Sequence, residues 1–139
     1  MQTVADLMTI QLVTLTSEHT MKNAHDLINK KGIRHIPVMD KTNSTMLGLV
    51  TQKVMISKVV GFISEFGSGH LLEKEMQTSV MDVSITDFER VPTSMSLKDA
   101  AEYFLKNKNG CLPVFDSENN LVGMLTSSDF VKLSLSLLS

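Results

Sequence analysis

The feature that most constrains the fold of this chain is an internal duplication. Residues 32–38 have the sequence GIRHIPV and residues 108–114 the sequence KNGCLPV, and each string is followed by a Gly-x-x-Thr tetrad, at 48–51 and at 123–126. The prolines of the two strings lie 76 residues apart, and the glycines of the two tetrads lie 75 apart. A repeat of this length is one unit of strands and helices used twice. Two copies in 139 residues predict a pseudo-twofold pair, with function in the clefts that the pairing creates.

Composition and length indicate an ordinary globular protein of one compact unit, or of two small halves that share a core. The chain is 42% hydrophobic and 20% charged, and its formal net charge of −2 gives no electrostatic footprint for nucleic acid. No apolar run approaches the roughly 18 residues that a membrane span needs, and the opening residues lack the pattern of a signal peptide. The single cysteine, Cys111, excludes an internal disulfide and fits a reducing cytoplasm.

The two repeats carry the same order of secondary-structure signals. In the second, apolar residues recur at helical spacing from Leu97 to Leu105 after Ser96, a predicted N-cap; Thr20 is the predicted cap in the first. A short apolar segment with proline, a polar turn and a second apolar segment follow, which predicts a strand pair with proline at an edge or a strand start. A further helix is predicted after each tetrad, so each repeat has the order β-α-β-β-α.

This order predicts an α/β fold with a repeat over residues 1–60, a partly ordered linker over 61–78, and a second repeat over 79–139. Within the linker, residues 73–75 have the sequence Glu-Lys-Glu, which indicates a solvated helix face. The leucine-rich tail from residue 133 onwards is too apolar for a solvated end, and we expect it to pack on the domain or on another subunit.

The duplicated order of motifs resembles a tandem cystathionine-β-synthase (CBS) domain pair, also called a Bateman module, in which the two repeats pack together and leave two clefts. Such modules commonly bind AMP, ATP or S-adenosylmethionine, and many dimerise. The strings RHIPV and GCLPV are also similar to small stand-alone CBS proteins associated with acetoin utilisation. The matching residues are Asp6 to Thr9, Pro37, Val38 and Asp40, Pro113, Val114 and Asp116, and the two tetrads.

The resemblance places a ligand site at the start of the last helix. The family motif is Gly-x-x-Thr/Ser-x-x-Asp, and repeat two completes it with Thr126 and Asp129. A carboxylate at a helix start can accept hydrogen bonds from both ribose hydroxyls, while the hydroxyl and the free helix N–H groups meet phosphate. Without the family, the same spacing predicts only a capping box. The resemblance implies an adenine pocket lined by Cys111, Leu112, Pro113, Val91 and Pro92.

Repeat one departs from this pattern, because Thr51 is present but Val54 stands where the ribose-binding carboxylate is expected. We therefore expect the second site to bind weakly or not at all. Repeat one instead carries Arg34 and His35 before its strand, where basic residues of the family can reach phosphates. The alternatives are a solvated surface charge for Arg34 and a half-buried strand residue for His35.

The remaining chemistry argues against catalysis. The four histidines show no metal-ligand spacing, and no nucleophile lies beside a base, so neither a metal site nor a catalytic residue is predicted. Cys111 has no adjacent base and is expected to be an inert core thiol. Apolar residues on the helices that follow the tetrads, among them Val54 and Val131, favour a symmetric homodimer.

The resemblance implies a non-catalytic, cytoplasmic regulatory module that binds AMP, ADP, ATP or S-adenosylmethionine in the cleft between the repeats. Two alternatives stay open. One is a scaffold or dimerisation module with degenerate clefts, supported by Val54 and the apolar tail; the other is a regulatory subunit that acts in trans on an enzyme or a transporter.

Overall fold

The computed structural model of the chain describes residues 2–107 and 110–139. Lys108 and Asn109, the first two residues of the KNGCLPV string, lie outside that description. The helices and strands are α1 (Val4–Leu7), β1 (Leu15–Thr16), α2 (Met21–Lys31), β2 (His35–Met39), β3 (Met46–Thr51), α3 (Gln52–Phe66), α4 (Leu71–Gln77), β4 (Val91–Pro92), α5 (Leu97–Lys106), β5 (Cys111–Phe115), β6 (Leu121–Thr126) and α6 (Ser127–Leu138). Short 3₁₀ helices cover Ser68–His70 and Val80–Val83.

The predicted α/β fold class is confirmed, because β1-α2-β2-β3-α3 and β4-α5-β5-β6-α6 are two copies of one β-α-β-β-α unit. Each copy forms a three-stranded sheet in which the first strand is parallel to the second and the second antiparallel to the third. Within the described residues, no helix is both long and apolar enough to cross a bilayer.

The prolines do not lie on edge strands, as the sequence had suggested, but in the middle strands β2 and β5. A proline can occupy a middle strand here for a local reason. The first strand is only two residues long and pairs with Val38 and Met39 in the first copy, after Pro37. Proline has no N–H to donate, and here it precedes the stretch of β2 that pairs with β1.

The compact units of the structure do not coincide with the sequence repeats. One unit is continuous, Val13–Phe88, and the other is discontinuous, Met1–Leu12 with Glu89–Ser139. The residues that open each repeat therefore pack in the unit built from the other repeat. The predicted boundaries at 60 and 79 describe repeats of sequence, whereas the compact units divide the chain at 12 and at 88.

Each unit has its own hydrophobic core, formed by the buried face of its sheet and its helices. Side chains along β5 point alternately to the two faces of the sheet. Leu112 and Val114 point into the core, and Cys111 and Pro113 point to the opposite face. This alternation decides which predicted site residues can share a surface.

The segment 61–78 is more ordered than the linker predicted from its sequence, since α3 runs to Phe66 and α4 covers most of the remainder. The prediction of a solvated face at 73–75 is wrong for Glu75, which is only 2% exposed. Its Oε1 atom lies 2.6 Å from Nδ1 of His25 on α2. A buried carboxylate needs a partner of this kind, and a partner 50 residues away leaves no trace in local periodicity.

Candidate functional site

Thr126 and Asp129 meet at the junction of β6 and α6. Thr126 is the last residue of β6 and the N-cap of α6, and the two residues form a capping box. The backbone N–H of Thr126 donates to Oδ2 of Asp129 at 2.8 Å, and the Thr126 hydroxyl lies 3.2 Å from the same oxygen. Asp129 is only 7% exposed. The structure thus places a nearly buried carboxylate at a helix start, where the helix dipole favours negative charge.

A second hydroxyl joins this group, which the sequence reasoning did not single out. Oγ of Ser128 lies 2.8 Å from Oγ1 of Thr126, and Ser127 and Ser128 are both exposed. The signal that could have found them is the run of three hydroxyl residues that begins α6. Exposed hydroxyls and free N–H groups at a helix N-terminus suit an anionic ligand.

The predicted adenine-contacting residues divide between the two faces of the sheet. Val91 and Leu112 belong to the core of the discontinuous unit. Because side chains alternate along a strand, Pro92, Cys111 and Pro113 lie on the opposite face. Cys111 is directly paired with Thr126, which places this face next to the start of α6.

Cys111 is buried, and its Sγ lies 3.7 Å from Sδ of Met124 on the neighbouring strand. Burial raises the pKa of the Cys111 thiol to about 12, and the charge of Asp129 contributes in the same direction. The thiol is therefore protonated at neutral pH, when it is a poor nucleophile. Met124 is a further residue of this face that the sequence reasoning missed, although it lies inside the second tetrad.

The corresponding junction in the continuous unit has a threonine N-cap but no carboxylate at the position of Asp129. Thr51 is the N-cap of α3, and its Oγ1 accepts the backbone N–H of Val54 at 3.2 Å. His35 is paired with Thr51 as Cys111 is paired with Thr126, so the two junctions are equivalent. Val54 offers no oxygen where Asp129 offers two.

Arg34 and His35 differ in their environments. Arg34 is exposed, and its carbonyl oxygen accepts the backbone N–H of Gln52 at 2.9 Å. His35 is half-buried, and burial lowers its pKa below the ordinary value of 6.5, with the nearby charge of Arg34 adding to the shift. At neutral pH His35 is therefore mainly uncharged, whereas Arg34 is a charged residue at this junction. In the part of the chain that is described, the His, Cys, Asp and Glu side chains form no group of three suited to a metal ion.

The chain matches a known family. The sequence model of the CBS domain matches residues 4–61 and 80–136, so the chain belongs to the CBS domain family and carries two CBS repeats. Solved structures with this fold include stand-alone CBS-pair proteins. A Vibrio cholerae protein described as AcuB, for acetoin utilization, is 35% identical with a TM-score of 0.79, and the match covers 98% of this chain and 92% of that one.

CBSX2 of Arabidopsis thaliana, solved in complex with AMP, is 27% identical to this chain with a TM-score of 0.79, covering 99% of this chain and 98% of its own. The CBS domain-containing protein YhcV of Bacillus subtilis is 26% identical over 129 residues, which are 93% of this chain and 83% of YhcV.

Other relatives are much longer. The chain spans only 23% of homoserine O-acetyltransferase of Methanocorpusculum labreanum and 21% of inosine-5'-monophosphate dehydrogenase of Schizosaccharomyces pombe, each at 30% identity. Stand-alone CBS pairs are typically regulatory, and in the enzymes the CBS pair is one part of a larger chain.

Proposed function

We propose that this protein is a non-catalytic regulatory module that binds one adenosyl ligand per chain at the junction of β6 and α6. The observation that carries the proposal is the nearly buried carboxylate of Asp129 at the start of α6, which the equivalent junction at Val54 lacks. The complex of CBSX2 with AMP supports an adenine nucleotide as the ligand class.

In this proposal the residues have distinct roles. Asp129 accepts hydrogen bonds from the ribose hydroxyls, and Thr126 faces the phosphate end. Pro92 is exposed and offers an apolar surface to the adenine, the buried Cys111 and Pro113 lie on the same face of the sheet, and Val91 and Leu112 act through the core behind it. Thr51, Arg34 and His35 form the equivalent junction, which we expect to bind weakly or not at all because a ribose has no carboxylate partner there.

Titration calorimetry with AMP, ADP, ATP and S-adenosylmethionine tests this proposal directly. We expect about one site per chain for the preferred ligand, and loss of that site in Asp129→Ala. In a thermal shift experiment, ligand at about 100 times its dissociation constant should add about 2.7 kcal/mol to the free energy of unfolding. Two equal sites per chain, or binding that survives in Asp129→Ala, would contradict the assignment.

We further propose that the module acts as a homodimer on a separate enzyme or transporter in the cytoplasm. Val131 on α6 and Val60 on α3 are about 60% exposed, and the leucines at the end of α6 are exposed as well. Exposed apolar side chains on helices favour an isologous dimer. The enzymes that carry a CBS pair within a longer chain support regulation of a catalytic partner, and the likeness to AcuB makes acetoin-metabolising enzymes the first partners to test.

A further inference from the structure

The two segments exchanged between the repeats are alike in sequence and in burial. The opening segment, residues 2–9, packs in the discontinuous unit, and the middle segment, residues 79–85, packs in the continuous unit. Each has a hydroxyl residue followed by valine, then an aspartate two residues after that valine. The valines, Val4 and Val80, are both 0% exposed and belong to the cores of their units.

The two segments also dock in the same way on the third strand of a sheet. Thr9 and Met124 exchange two backbone hydrogen bonds, of 2.9 and 3.0 Å, at β6. Ile85 and Leu49 exchange two of 2.9 and 2.8 Å at β3. Both strands are at the edge of their sheets, so each segment satisfies backbone groups that an edge strand would otherwise leave open.

The glycine of each tetrad provides the space for this docking. A Cβ atom at Gly123 would lie 2.5 Å from Sδ of Met8 and 3.0 Å from the carbonyl oxygen of Thr9. A Cβ atom at Gly48 would lie 2.9 Å from Cβ of Ser84. Each edge is thus a strand-addition site with a glycine notch, shaped for an extended segment of this type.

We infer that the opening segment can be donated in trans, so that residues 2–9 of one copy dock on the β6 edge of a second copy. The contacts would be identical to those made within one chain, which makes such an exchange inexpensive in free energy. In the structure, two equivalent edge strands, β3 and β6, each bind one segment of this type. A second copy supplies a segment with the sequence that this edge already binds.

The connection permits this exchange over a short range. Residues 10–14 join the opening segment to β1 and form no helix or strand, and Ile10 is 69% exposed. Fully extended, five residues span about 17 Å. Donation in trans therefore needs two copies in close contact, and it should increase with protein concentration.

Two complementary variants of the full-length chain test the inference. Val4→Asp places a charge at a fully buried position of the opening segment and leaves the β6 edge intact. Gly123→Val blocks the notch and leaves the opening segment intact, while valine itself suits a strand. Neither variant alone can form the docked contact, but an equimolar mixture has one intact segment and one intact edge.

The readout is hydrogen exchange of the Thr9 amide in isotope-labelled Gly123→Val, alone and after mixing with unlabelled Val4→Asp. We expect this amide to exchange fast alone and at least about tenfold more slowly in the mixture. Exchange that stays fast on mixing overturns the inference, because docking would then occur only within a chain. Mixing Val4→Asp with labelled Gly61→Val serves as the control, since a Cβ atom at Gly61 meets nothing within 4 Å and its own docking is retained.

Protection of the Asn107 amide, which donates to the carbonyl oxygen of Tyr103 at the end of α5, reports whether the discontinuous unit of each variant remains folded. If the variants lose this protection, Val4→Ala and Gly123→Ala replace them as milder forms of the same two defects. The expected and contradicting results are then the same.

Discussion

The carboxylate of Asp129 accepts the backbone N–H of Thr126 at 2.8 Å, so the central residue of the candidate site is also a helix cap. The same pairing occurs at the start of the short helix α1, where the N–H of Thr3 donates to Asp6 at 3.0 Å. Asp6 is exposed, whereas Asp129 is nearly buried. One motif thus occurs twice in the discontinuous unit, and the two copies provide a matched comparison between capping alone and capping with the proposed ligand binding.

The substitution Asp129→Asn separates the two roles. An asparagine side-chain oxygen can still accept the N–H of Thr126, so we expect the free energy of unfolding of the ligand-free protein to fall by less than about 1 kcal/mol. Loss of a charge-assisted hydrogen bond to the ribose, about 1.5–3 kcal/mol, should weaken nucleotide binding about tenfold or more. Calorimetry and thermal unfolding of the same variant measure both quantities. Asp6→Asn should leave the affinity unchanged, and an unaltered affinity in Asp129→Asn would make Asp129 a structural residue only.

Glu75→Ala should destabilise the continuous unit, because the substitution removes the partner of His25 and a well-packed buried side chain. We expect a loss of about 1–3 kcal/mol in the free energy of unfolding, measured by urea denaturation. Glu73→Ala, two residues away, is the control: its carboxylate is exposed and lies 4.0 Å from His70, so its loss should cost less than about 0.5 kcal/mol. If the two substitutions lower the free energy of unfolding equally, the buried Glu75–His25 pair makes no special contribution to stability. A double-mutant cycle with His25→Ala measures the coupling itself.

Acidification should destabilise the protein in part through His35. Burial lowers the pKa of His35 below 6.5, so the unfolded chain binds more protons than the folded chain in the pH range just below neutrality. The free energy of unfolding should therefore fall as the pH drops through that range, and His35→Gln should show a shallower fall. Thermal unfolding from about pH 8 to about pH 5.5 measures this difference. Arg34→Gln, which removes the second cause of the shift, should reduce the pH dependence only slightly. If the stability of His35→Gln depends on pH as strongly as that of the wild type, His35 is not a source of this dependence.

Val131→Glu should weaken the proposed homodimer, because the side chain is 61% exposed on α6 and a carboxylate there would be buried at an apolar interface. Light scattering at about tens of micromolar should show dimers for the wild type and monomers for the variant. Lys132→Glu changes the charge at the neighbouring exposed position and should leave the mass unchanged. A monomeric wild type, or equal dissociation by both substitutions, would contradict a role for this face.

Local features could be predicted well from the sequence. Ser96 and Thr20 are N-caps in the structure, with side-chain oxygens that accept N–H groups at the start of their helices. The order of strands and helices in both repeats was also correct. Each of these features depends on residues a few positions apart, where spacing alone determines whether a hydrogen bond or a shared helix face can form.

The duplication, the β-α-β-β-α order, the caps and the Thr126–Asp129 spacing were thus determined by the sequence itself. Tertiary structure decided which repeat each opening segment packs on, which face of β5 enters the core, and that Glu75 is buried against His25. It also revealed that Gly123 makes room for Met8 and Thr9. These relationships join residues far apart in the chain through burial and close contact, and periodicity carries information only about near neighbours.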